Sequence, residues 1–164
     1  MKFFIIKVAR NNEYTYEKAL ELFSSLNDVK NLSIKEKLTS LFEKRETIIY
    51  SFNIISVNQR IYFVIGIPDD LVTHVKNQLL AQYTNADITE IENLESLGVT
   101  PDKLIENTTL KLSTTEYLPF KNITEFTDVD PISSILSAIS RSKDINALFW
   151  FQLLITPADK KLAI

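Results

Sequence analysis

One histidine and two adjacent carboxylates are the first residues to test for chemistry. They are His74, and Asp69 with Asp70, all within GIPDDLVTHVKNQLLAQYTNADITEI (66–91). An imidazole there is a candidate general base or metal ligand, and paired carboxylates are candidate cation ligands. The sequence supplies neither with partners. There is no second histidine and no cysteine to share a metal with His74, which stands beside Lys76 on a helical pattern. Asp69 and Asp70 follow Pro68 at a helix start, where carboxylates meet unpaired amides and the positive end of the helix dipole. Serine chemistry fares no better, because SSILS (133–137) lies in a helical pattern without a nucleophile-elbow glycine. The two glycines of the chain, Gly66 and Gly98, stand far apart, which rules out a phosphate-cradling loop or a dinucleotide fingerprint. Tyr62 and Phe63 invite comparison with aromatic base-stacking platforms, and Phe149, Trp150 and Phe151 with a ligand cage. Without accompanying basic residues, both groups are expected in the core. The expected site inventory is therefore empty: no catalytic residue, no cofactor-binding residue and no metal ligand.

Composition narrows the class. The chain has 164 residues, 45% apolar and 24% charged, enough apolar side chain to offset ordering entropy in a globular domain. A net charge of −3 exerts no general pull on nucleic acid or anionic lipid. The densest basic group, Lys30, Lys35, Lys37, Lys44 and Arg45, reads as solvated helix faces. The lack of cysteine excludes disulfides and thiolate chemistry. No apolar run reaches the ~18 residues of a membrane span, and MKFFIIKVAR has too short an apolar core for a signal peptide. The expected location is cytoplasmic.

The elements that would carry these residues follow from periodicity. KFFIIKV (2–8) is apolar at nearly every position and predicts a strand covered on both faces. Tyr16, Ala19, Leu20, Phe23 and Leu26 recur at helical spacing. SIKEKLTSLFEKR (33–45) predicts a second, shorter helix opened by a capping box. From 46 the period changes to two: ETIIYSFNIISV alternates as a half-buried strand, VNQR turns, and RIYFVIGI returns as a nearly all-apolar strand. Leu71, Val72, Val75, Leu79 and Tyr83 line the next helix, and ADITEIENL alternates with charges suited to a sheet edge. Strand order and burial together predict an α+β protein with a ferredoxin-like βαββαβ antiparallel sheet over 1–94, its first and third strands central and its second and fourth at the edges.

Beyond it, residues 108–158 predict a strand–helix–strand extension, or half of a second ferredoxin-like unit. TTLKLSTTEYL (108–118) alternates. DPISSILSAIS (130–140) starts a helix with Asp130 and Pro131 and buries Ile132, Ile135, Leu136 and Ile139. NALFWFQLLITP is the most apolar strand and is expected at the centre of a sheet. Nothing after it could flank it, so the chain is a fragment, or this strand joins the first sheet or a partner chain.

The ordered series of segments from Phe3 to Asp159 resembles the region preceding the motor in bacterial type IV secretion, conjugative-coupling-type ATPases. The resemblance is strongest in VKNQLLAQYTNADI (75–88), where Gln78, Ala81, Gln82, Tyr83, Ala86 and Ile88 match a recurring Q-x-x-A-Q-Y-x-x-A-x-I pattern, and in DPISSILSAIS with the aromatic strand after it. Gly66 stands where such proteins often carry a basic or aromatic residue. The resemblance implies a domain without settled function, with an ATPase motor downstream in a longer parent chain and a position at the inner face of the membrane through that parent. A stand-alone relative that lost the motor is the other form. Two functions are carried forward. The first is a non-catalytic accessory or assembly domain of a DNA- or protein-translocating ATPase, acting through a protein partner or self-association. The alternative is a stand-alone ferredoxin-like module binding a small ligand or nucleic acid on an open sheet face. An enzyme ranks behind both.

Overall fold

A computed structural model describes residues 1–9, 14–28, 48–98, 106–110, 131–140 and 147–157. Among these residues it is an α+β structure with five antiparallel strands and three α-helices. The strands are β1 (Lys2–Lys7), β2 (Tyr50–Val57), β3 (Arg60–Ile67), β4 (Asp87–Ile91) and β5 (Phe149–Ile155). The helices are α1 (Tyr16–Asp28), α2 (Val72–Gln82) and α3 (Pro131–Ser140). The strand order is β4-β1-β3-β2-β5.

β1 and β3 lie inside the sheet, as their continuous apolar sequences require. β2 and β3 form a hairpin whose two loop residues, Asn58 and Gln59, both take positive φ (50° and 60°), the backbone that matches the twist of the flanking strands. The alternation of side chains splits the sheet into two faces. On one, Phe4, Tyr50, Ile65 and Ile67 pack against Leu22 and Leu26 of α1 and Val75 and Leu79 of α2. Each such side chain contributes about 1.5–3 kcal/mol by leaving water. On the other, Ile5, Ile55 and Val64 form a smaller cluster closed by Phe3, Tyr62, Ile91 and a 3-10 turn bearing Leu94 and Leu97.

Three expectations change. β2 is not an edge: β5 pairs along it from Tyr50↔Ile155 to Ser56↔Phe149, and most of its residues are buried rather than alternating. β5 is not central, since among the described residues it pairs with β2 alone. The buried stripe of α1 runs through Leu22 and Leu26, with Lys18, Ala19 and Ser25 half-buried, so Tyr16, Leu20 and Phe23 fall on an exposed flank. Leucine at 20 and leucine at 22 satisfy the helical period equally well, and only the position of the sheet selects between them. The stripe of α2 is as expected, with Val75 and Leu79 buried and Leu71, Val72 and Tyr83 packed around them. In α3, Ile139 is buried, Ile135 and Leu136 are half-buried and Ile132 is exposed. The helix expected over 33–45 lies outside the described residues. So does most of the strand expected over 108–118, whose first residues, 108–110, are in no strand.

Candidate functional site

The most apolar strand of the chain forms an edge of the sheet. β5 carries FWFQLLI without a charge, and five of its seven residues are exposed. Leu154 is 57% and Trp150 43% exposed on the face away from α1 and α2, while Leu153 is 48% exposed on the helix-bearing face. Phe63 is exposed to the same degree as Leu153, and Leu20 (56%), Phe23 and Tyr16 add apolar surface on α1. Phe23 reaches the sheet through a tilted ring contact with Phe52, 5.3 Å between centroids, and Leu153 stands opposite Phe52 in the β2–β5 register. Phe63 and the 149–151 aromatics were expected in a core; Phe63, Phe149 and Trp150 are exposed, and Phe151 is half-buried.

A polar ladder fastens this edge strand to β2. Asn53, only 3% exposed, stands opposite Gln152. Its Oδ1 accepts from the Trp150 indole Nε1 at 2.9 Å, from Gln152 Nε2 at 3.2 Å and from Ser51 Oγ at 3.2 Å. Its Nδ2 donates to the Val64 carbonyl at 3.2 Å and to Ser51 Oγ at 3.0 Å. Gln152 Nε2 also donates to Ser51 Oγ at 3.1 Å. A buried amide left without partners would cost about 1–3 kcal/mol, so the ladder makes β5 conditional on two polar residues of β2. Sequence reasoning passed over it. The available signal was Gln152 as the sole polar residue of an apolar strand, and Ser51 and Asn53 on one face of β2.

Gly66 lies on the same face, and its place is steric. A Cβ there would come within 2.9 Å of Met1 Sδ and Phe3 Cε1 and 3.1 Å of Ser51 Cβ. The absence of a side chain leaves room for Phe3 beside the sheet.

His74 is half-buried on α2, and its Nε2 is buried with no hydrogen-bond partner. Asp69 and Asp70 belong to a 3-10 turn, Asp69–Leu71, that runs into α2, and neither cap position makes a side-chain cap hydrogen bond. Asp69 instead accepts from the Met1 amino group at 2.8 Å, and that hydrogen bond holds its carboxyl below the ordinary value. Tyr83 packs edge-on against Tyr14, 5.2 Å between centroids, and borders the main core. Tyr50 is fully buried, its hydroxyl has no partner, and burial pushes its pKa up to about 12.

A shallow cleft of ≈ 590 Å³ opens between the β2–β3 turn and the 94–98 turn. Val57, Asn58, Arg60, Tyr62, Ser96 and Gly98 are among its lining residues. It offers one guanidinium and one phenol without a titratable pair. Among the described residues, no group of three or more His, Asp or Glu gathers as a metal site would need, and no helix is long and apolar enough to cross a membrane.

Fold and surface together define the class: an α+β protein on one antiparallel sheet, with, among the described residues, an apolar strand at one edge. The chain belongs to a family described as a domain of unknown function (DUF8128), matched over residues 5–163. No curated protein and no solved structure matches it.

Proposed function

We propose that this chain is a non-catalytic accessory or assembly domain that works through protein–protein contacts, with the β5 edge as its contact strand. One observation carries the reading: a seven-residue edge strand without charge that exposes Trp150, Leu153 and Leu154. An edge strand offers unpaired backbone donors and acceptors, and one without charges, proline or a bulge is a template for another chain. The resemblance to the region preceding the motor of type IV secretion ATPases suggests the setting, a part of a DNA- or protein-translocating machine carried at the inner face of the membrane by a longer parent. The order β4-β1-β3-β2 within the sheet and the packing of α1 and α2 on one face support a ferredoxin-like βαββαβ unit extended by β5.

The alternative, a ligand or nucleic-acid platform on an open sheet, needs exposed central strands. Here Ile5 and Val64 are buried on one face, and Phe4 and Ile65 are buried beneath the helices on the other. The test is a binding titration of the purified chain against the purified motor domain of a type IV secretion ATPase from the same genome. Saturable binding that Leu154→Lys abolishes supports the reading. ATP hydrolysis by this chain alone, or β5 substitutions that change neither motor binding nor self-association, overturn it.

A further inference from the structure

We propose that the occupant of the β5 edge is a second copy of this chain, paired strand to strand about a two-fold axis through Gln152. The inference rests on the reading of β5 as a contact strand and names its partner.

Phe149, Trp150 and Phe151 precede Gln152, and Leu153, Leu154 and Ile155 follow it. Two such strands meeting antiparallel with Gln152 opposite Gln152 place Phe151 across from Leu153, Trp150 across from Leu154 and Phe149 across from Ile155. Every rung on either side of the centre then sets an aromatic ring against an aliphatic side chain, a favourable class of cross-strand pair. Residues opposite one another in an antiparallel pair share a face, and here the parity agrees. Trp150 and Leu154 lie on the face that carries Asn53 and Ser51, and Phe151 and Leu153 on the helix-bearing face. A register shifted by two residues puts Trp150 against Gln152, or Gln152 against Leu154, and loses the match.

Charge points the same way. β5 has no charged residue, so two copies bring no like charges together, whereas two β4 strands would crowd Asp87 and Glu90. Pro157, which cannot donate to a ladder, lies just past the end of β5 and limits the paired length to the strand itself. Gln152 is already held on its own β2 by bonds from Nε2 to Ser51 and Asn53. A two-fold contact of one strand with itself is closed, so the assembly stops at a dimer.

The chain lacks cysteine, which makes the register directly testable in the full-length protein. Light scattering after size exclusion is expected to give a dimer whose dissociation follows mass action. Leu153→Lys or Leu154→Lys, at exposed positions on opposite faces, should each weaken dimerisation by about tenfold or more with circular dichroism unchanged. Under mild oxidation Gln152→Cys should form a covalent dimer rapidly. Leu154→Cys should not, because in this register its partner is Trp150 and the two introduced thiols lie several rungs apart. A monomer up to about 100 µM, a weak-affinity ceiling, overturns the proposal, as does open-ended association or equal crosslinking at 152 and 154. A monomer that still binds the motor through β5 defeats this inference alone. A monomer that also fails to bind the motor defeats both readings.

Discussion

The two ends of this sheet solve the same problem in opposite ways. β4 is short and charged: Asp87 and Glu90 stand on it, and Lys7 and Lys2 of β1 reach them at 3.9 and 2.9 Å. The Glu90 hydrogen bond raises the pKa of Lys2. β5 is longer, carries no charge, and keeps its polar contacts inward, toward Asn53 and Ser51. An exposed strand edge is a standing invitation to other chains, and charge is a usual way to withdraw it. Among the described residues, one edge of the sheet withdraws the invitation with charge and the other does not.

The largest effect should come from cutting β5 away from β2. Asn53→Leu removes the acceptor for Trp150 Nε1 and Gln152 Nε2 and the donor to Val64, leaving several buried polar groups unmatched. The expected loss is about 3 kcal/mol in urea unfolding, with Trp150 fluorescence reporting its exposure. A loss under about 1 kcal/mol would mean that the ladder does not fasten the edge. The next effect runs the other way. Asp87→Val with Glu90→Val makes β4 resemble β5, and the double variant should associate further than the parent, into species larger than a dimer by light scattering. If its size distribution is unchanged, charge is not what separates the two edges.

The sequence made β4 legible and misplaced β5, and the reason is physical. Asp87 and Glu90 put a charge on each face of DITEI, which suits a strand that meets water at the edge of a sheet. Continuous apolar sequence in FWFQLLI is ambiguous, because a strand buried by its own sheet and a strand meant for another chain need the same residues. Gln152 was the discriminating residue, a polar group in an apolar run that marks one face as hydrogen-bonded. β2 was misread for the linked reason. Ser51, Asn53 and Ser56 look solvent-facing in sequence, yet they are buried because β5 lies beside them. The strands, their antiparallel pairing and the α2 stripe were readable from local pattern. The phase of α1 was not, since Leu20 and Leu22 compete and the sheet decides between them. At His74, Asp69 and Asp70 the sequence expects scaffold rather than chemistry, because it supplies them with no partners.

A third effect, smaller than the first two, concerns the rung that ends the β2–β5 junction. Tyr50 stands opposite Ile155 with a fully buried hydroxyl that no group satisfies. Tyr50→Phe should raise stability by about 1 kcal/mol at neutral pH, by removing a desolvated hydroxyl at little change in shape. The pH dependence has a definite sign. Burial raises the folded-state pKa to about 12, above that of the unfolded chain, so the native state binds more protons above pH ~10. Stability from this group is therefore present below about pH 10 and falls as pH climbs toward 12. The gap between variant and parent should widen over that interval, and a constant gap in alkaline urea titrations would show that the phenol is not buried as described.

The smallest effect tests the protective edge itself. Lys2 and Glu90 lie at the surface, where an ion pair gains little against water and side-chain entropy. Lys2→Ala should leave the unfolding midpoint unchanged within error and should not alter the oligomeric state, because Asp87 and Glu90 still charge the β4 edge. The value of the pair on this argument lies in placing charge at an edge, not in binding two strands together. A clear drop in the midpoint for Lys2→Ala, with association unchanged, would assign β4 a stabilising role in place of a protective one. The contrast between the two edges would then rest on β5 alone.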